Sequence, residues 1–176
     1  MKPPQILILG IGSILMTDEG FGVRVVERIL EQYDFSDNVA LADGGVLGLN
    51  LLGVIAGADY LIVVDIIRNH GAPGDLYRLE GDQIPERIRA KNSLHQIDFL
   101  EALTLCQALD HVPETVILGA EPEDIDTLSI ELTPMLDKQI DPTICKVLTE
   151  IERLGGTYHL KTEKIKANCA SERCLC

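Results

Sequence analysis

Three acids and one imidazole are the residues best placed to do chemistry in this chain. They are Glu19 in "SILMTDEGFG", Asp43 in "LADGG", Asp65 in "LIVVD" and His95 in "NSLHQIDFL". Each acid follows or ends a run that reads as a buried strand. Open α/β sheets bind ligands just outside the carboxyl ends of their strands. His95 stands before a helical pattern, where a loop can reach the same rim. Two carboxylates and an imidazole suit a divalent transition metal. Imidazole takes zinc, copper, iron or nickel, whereas carboxylates alone lean to magnesium or calcium. Three protein ligands leave positions open for water or substrate. Each residue also has an ordinary reading. Asp65 can cap the next turn, Asp43 can hold the Gly44-Gly45 turn, and His95 can cap or pair locally. His70, His111 and His159 read as solvated loop or helix-end residues.

The glycines before Glu19 invite a nucleotide reading, and the sequence argues against it. The dinucleotide fingerprint is G-x-G-x-x-G. Gly10 and Gly12 match, but Leu15 holds the third place. A helix N-terminus attracts phosphate, yet Asp18 and Glu19 put negative charge there. Asp18 or Thr17 as an N-cap, with Glu19 complementing the helix dipole, explains one of the two acids. It leaves open why a second strand-end acid, Asp65, stands beside the same crevice. The chain has no G-x-S-x-G elbow and no H-E-x-x-H helix, and Ser13 and Ser93 are isolated.

The elements that must position these residues follow a βαβ rhythm. "QILILG" reads as a buried strand. A helix beginning near Asp18 carries Gly22, Val26, Ile29 and Tyr33 on one face. "NVALAD" is a second strand, turned by Gly44-Gly45, and Leu47, Leu51, Val54 and Ala58 mark a second helix. "DYLIVVDII" is a continuous β-rich run, as in a strand covered on both faces. "LYRLE" is a short edge strand, and 81–94 is mostly polar and irregular. Phe99, Leu103 and Cys106 mark a third helix, "TVILGAEP" the last strand, and "TLSIELTP" an extended or loop segment. Ile144, Leu148 and Ile151 mark a final helix, which Pro142 should restart or kink and Gly155-Gly156 should end. This order predicts a three-layer α/β sandwich with a mainly parallel sheet of about five strands. It places one domain over 1–156 and a flexible tail over 157–176.

Composition bounds the function. A chain of 176 residues with 46% apolar residues is globular. A net charge of −13 speaks against nucleic acid, which needs a basic footprint, and against anionic lipid. "MKPPQILILG" lacks the leader pattern, and no run reaches the roughly 18 apolar residues of a membrane span; the expected location is the cytoplasm. Cys106 and Cys145 read as buried, inert packing thiols. Cys169, Cys174 and Cys176 crowd the polar tail "KANCASERCLC". Their spacing could hold zinc, but a disordered end is the expected reading. Five cysteines, an odd number, argue against a disulfide scaffold.

A family likeness rests on five stretches in order: "ILGIGSILMTDEGFGVRVVE", "DGGVLGLNLL", "LIVVDII", "PGDLYRLEGDQIP" and "SLHQIDFLEAL". Together they resemble the [NiFe]-hydrogenase maturation proteases over about residues 5 to 155. The resemblance implies an endopeptidase that removes the C-terminal extension of a hydrogenase large-subunit precursor after nickel insertion. It implies Glu19, Asp65 and His95 as nickel ligands, the nickel arriving with the substrate. Zinc or cadmium are stand-ins for that metal. Glu19, Asp65 and Asp43 are the implied catalytic group, Asp43 as general base or as support. Partners other than the precursor, such as nucleotide, nucleic acid or membrane, are not implied. The competing reading is a metallochaperone or scaffold that binds the immature subunit without cutting it.

Overall fold

The computed structural model describes residues 3–45, 53, 55–81, 83–84 and 112–161. Strand β1 (Ile6–Ile11) is buried along its whole length. Its side chains alternate, as they must along a strand. Ile6 and Ile8 enter one apolar cluster, and Leu7, Leu9 and Ile11 enter another on the opposite face. That two-sided burial explains why "ILILGI" has no polar alternation. The same holds for β4 (Tyr60–Ile66) and β6 (Glu114–Ala120).

The main sheet has the order β3-β1-β4-β6-β5, with β3 at Val39–Gly45 and β5 at Leu76–Glu80. Strands β3, β1, β4 and β6 are parallel, and β5 runs antiparallel along the β6 edge. One face packs on α1 (Phe21–Gln32) and, after the single turn α2 (Pro134–Asp137), on α3 (Ile140–Arg153), through Phe21, Val25, Ile29, Ile144, Val147 and Ile151. The opposite face packs on Ile55, Ala58 and Ile84. Burying each such side chain contributes about 1.5–3 kcal/mol, so the sheet is held from both sides. The three-layer, mainly parallel sandwich expected from the sequence is the fold observed. The expected helix over Phe99, Leu103 and Cys106, and most of the one over Leu47–Ala58, lie outside the described residues.

Four details depart from the sequence reading. Tyr33 leaves α1 with extended backbone and opens β2 (Tyr33–Phe35), which pairs antiparallel with β7 (Tyr158–Leu160). The folded unit therefore continues past residue 156, through Lys161, whose amide donates to the Gln32 carbonyl at 2.9 Å. Strand β3 runs through Gly44 and Gly45 rather than turning there. Helix α3 starts at Ile140 and does not restart at Pro142, because Pro142 sits in the first turn, where a missing N–H is not needed. Cys145 is half-buried and disulfide-bonded, not a free packing thiol.

Candidate active site at the strand ends

The strand order defines where a ligand belongs. From β1 the chain moves to β3 on one side, then to β4 on the other. The order reverses between β1 and β4, and in doubly wound sheets the crevice at such a point is the binding site. The loop after β1 carries Glu19, and β4 carries Asp65 at its carboxyl end. The start of α1 lies directly over the same strand ends. A Cβ on Gly22 would collide with the carbonyls of Val64 and Ile11, so only glycine lets the helix approach this closely.

The short 3₁₀ turn Thr17–Gly20, η1, presents Glu19. Gly12 has φ 128°, and a Cβ there would strike the Glu19 carbonyl. The glycine loop therefore serves the close packing of this turn and has no need of a phosphate. Thr17 has φ 33°, a conformation rare for a β-branched residue. It is held by its amide on the Ser129 carbonyl at 2.9 Å and its hydroxyl on the Thr127 carbonyl at 2.6 Å.

Asp18 is fully buried and caps no helix, contrary to the local reading. Its carboxylate accepts from the amides of Glu123 and Asp124, both at 2.9 Å. It also accepts from the Thr133 amide at 2.8 Å and the Thr133 hydroxyl at 3.1 Å. Buried carboxylates persist where such bonds replace water. Asp18 is thus the pin that fixes η1 to the 121–133 segment, and Glu19, half-buried, is the neighbour it holds in place.

Asp65 is 8% exposed, and its Oδ1 accepts from the Ile66 amide at 2.8 Å. Asp43 is exposed at the end of β3. Gly10 pairs with both Asp43 and Val64. Alternation therefore puts Asp43 on the Val64 face of the sheet and Asp65 on the other. Glu19 thus follows β1 and Asp65 stands near the carboxyl end of the adjacent β4, with Asp43 on β3, one strand further out. His95 lies outside the described residues.

A further buried acid, Glu121, organises the loop after Asp65. Its carboxylate accepts from the amides of Asn69 at 2.7 Å and Gly71 at 3.2 Å, and from the Tyr77 hydroxyl at 2.9 Å. Burial, and then the Glu121 bond and charge, push the Tyr77 phenol above its ordinary pKa. Sequence offered Asp18 only as a cap and did not single out Glu121, since the partners of both are distant in the chain. A groove of about 860 Å³ lies elsewhere, between charged side chains of α1 and the 130–140 segment; none of the strand-end acids lines it.

An α/β protein with acids at the strand ends around its topological switch point is the class that this fold and site define. A model of the hydrogenase maturation protease family, HycI, matches residues 23–150. The "Hydrogenase 2 maturation protease" of Escherichia coli is 36% identical over 153 residues, covering 86% of this chain and 93% of that one. The "Hydrogenase expression/formation protein HupD" of Bradyrhizobium diazoefficiens is 42% identical over 151 residues, covering 83% and 79%. Among solved structures, the hydrogenase maturating endopeptidase HybD from E. coli superposes with a TM-score of 0.86 at 34% identity, covering 90% and 99%. The chain belongs to the hydrogenase maturation protease family, and the likeness read from its five motifs holds.

Proposed function

We propose that this protein cuts the C-terminal extension from a [NiFe]-hydrogenase large-subunit precursor once nickel is in place, and that it recognises the nickel carried by that substrate. What supports this best is the strand order, which sets Glu19 on the loop after β1 and Asp65 near the carboxyl end of the adjacent β4, at the switch point. The donor set fits a divalent transition ion. Glu19 is held on a turn fixed by Asp18, Asp65 ends a rigid central strand, and His95 supplies the imidazole that turns the preference from magnesium toward nickel. Zinc or cadmium would occupy the same donors.

A metal so placed can polarise a carbonyl, activate water or orient the chain. The protein's own residues have separable tasks. Glu19, Asp65 and His95 dock the substrate and set the scissile bond. Asp43, exposed at the neighbouring strand end, serves as general base or supports one. No described helix is long and apolar enough to cross a membrane, and the reading places the reaction in the cytoplasm, with no nucleotide or nucleic acid as partner.

The test uses Glu19→Gln and His95→Ala with nickel-loaded and nickel-free precursor, followed by the size shift on a gel. Wild type should process only the loaded precursor. Both variants should lose at least a hundredfold in rate, since an oriented metal supplies several kcal/mol. Glu19→Gln should alter stability by only about 0.3–1 kcal/mol. Equal processing of nickel-free precursor, or full activity in both variants, would refute nickel reading by these residues. Tight binding of precursor without any mass loss would favour the scaffold reading instead.

A further inference from the structure

The turn that carries Glu19 also builds an exposed apolar rim. Met16 forms a parallel bridge with Ser129, and this sets Leu15 beside Leu128, with Ile130 two residues along the same extended segment. Leu15 is 60% exposed, Leu128 78% and Ile130 65%. Single exposed apolar side chains are ordinary. Three on two hydrogen-bonded loops form a patch, and such patches mark contact sites.

The backbone under the patch is fixed. The Ser129 amide donates to the Leu15 carbonyl at 3.1 Å, and the Thr17 amide to the Ser129 carbonyl at 2.9 Å. Arg24 Nη2 donates to the Ile130 carbonyl at 2.9 Å, and Asp124 Oδ1 accepts from the Asp126 and Thr127 amides at 3.0 and 3.1 Å. Holding apolar groups in water on an ordered backbone reduces the entropy lost when a partner covers them. The segment that carries Leu128 and Ile130 is acidic, while Arg24 and Arg28 border Ile130 from α1. The stretch "EPEDIDTLSIE" carries Glu123, Asp126 and Glu131 with no lysine or arginine, and all three are exposed. An apolar centre within a charged rim is the anatomy of a protein interface.

We infer that Leu15, Leu128 and Ile130 form the docking face for the folded body of the large-subunit precursor, which meets them with an apolar patch flanked by basic side chains. The occupant follows from continuity and charge. Thr17 anchors the rim and Glu19 enters the cleavage crevice from the same four-residue turn, so a substrate seated at Glu19 lies against the rim. This rests on the reading of Glu19 as part of the substrate site. Affinity for the precursor then comes from the rim as well as from nickel.

The test is precursor binding and cleavage by wild type, by Leu128→Asp/Ile130→Asp and by Leu15→Asp, with Leu128→Met as the conservative control. Melting temperature and sedimentation are measured alongside. Both acidic variants should raise the Kd for nickel-loaded precursor at least tenfold, with the cleavage defect mainly in KM, and Leu128→Met should stay within threefold of wild type. If the double variant fails to fold, Leu15→Asp decides. Unchanged Kd in the folded acidic variants would overturn the inference, as would a wild-type dimer that the substitutions dissociate without altering Kd. A wild type that binds through the rim but never cleaves would refute the proposed activity and leave the rim standing.

Discussion

Replacing Asp18 with alanine strands the amides of Glu123, Asp124 and Thr133 around a fully buried position. Each stranded group costs about 1–3 kcal/mol, less where water enters the gap. A total loss of about 3 kcal/mol would lower the melting temperature of a domain this size by roughly 6–12 °C. Asp18→Asn should lose less, because the amide keeps one acceptor while aiming a donor at other donors. Both should slow precursor processing, since Glu19 loses its anchor. Calorimetry and the gel assay check this; a shift below about 2 °C for the alanine variant would mean the bonds do not pin the turn. In sequence Asp18 reads as a cap and Glu19 as a partner of the helix dipole or a metal ligand. Asp18 reaches partners 105 to 115 residues away, and no local pattern carries that information. Glu19, Asp43 and Asp65 were legible as candidates because each follows a strand whose apolar run is unmistakable.

Helix α3 is tied to the edge strand β5 through one acid. Glu150 Oε1 accepts from Arg78 Nε at 2.6 Å, and its Oε2 accepts from Arg153 Nε at 2.7 Å. Burial pushes the Glu150 carboxyl up, but the two arginines outweigh it and hold its pKa below the ordinary value. A depressed carboxyl pKa means stability that is fully present above the unfolded value and lost as pH falls through the folded one. The difference in unfolding free energy between wild type and Glu150→Gln should therefore be full at pH 7, about 1 kcal/mol because both arginines are partly exposed. It should shrink as pH falls below about 4.5, the ordinary value. Denaturant titrations at several pH values measure it, and a difference that grows on acidification would contradict the sign. Strands β1, β4 and β6 were legible because burial on both faces leaves a continuous apolar run. Strand β5 was legible as an edge by its mixed character, half-buried and exposed by turns. The order β3-β1-β4 was not legible, because periodicity records faces and not neighbours. That order is what sets Glu19 and Asp65 at the ends of adjacent strands.

At the scale of the molecule, five ordered motifs are enough to mark the family, whereas the end of the folded unit, at Lys161 rather than Gly156, leaves no mark in the sequence. Strands β2 and β7 have three residues each, too short for a periodic signal, and they stabilise each other only across the whole chain. Tyr158 meets Tyr33 edge-on at 5.5 Å and Phe35 at 6.4 Å, and all three rings pack against the main core. The Ser36 amide donates to the Thr157 carbonyl at 2.9 Å, and Lys161 Nζ donates to the Leu30 carbonyl at 2.6 Å at the end of α1. Ending the chain after Gly156 removes these contacts and uncovers the edge of the aromatic cluster. Losing one well-packed aromatic ring alone costs about 3–5 kcal/mol when it is fully buried; Tyr158 is half-buried, so the expected loss is about 1.5–2.5 kcal/mol. A chain ended after Lys161 keeps both strands and should melt several degrees above the one ended after Gly156. The decisive comparison is between these two truncations under one set of conditions. Equal melting temperatures would mean that β7 adds nothing to stability and that the domain does close at residue 156.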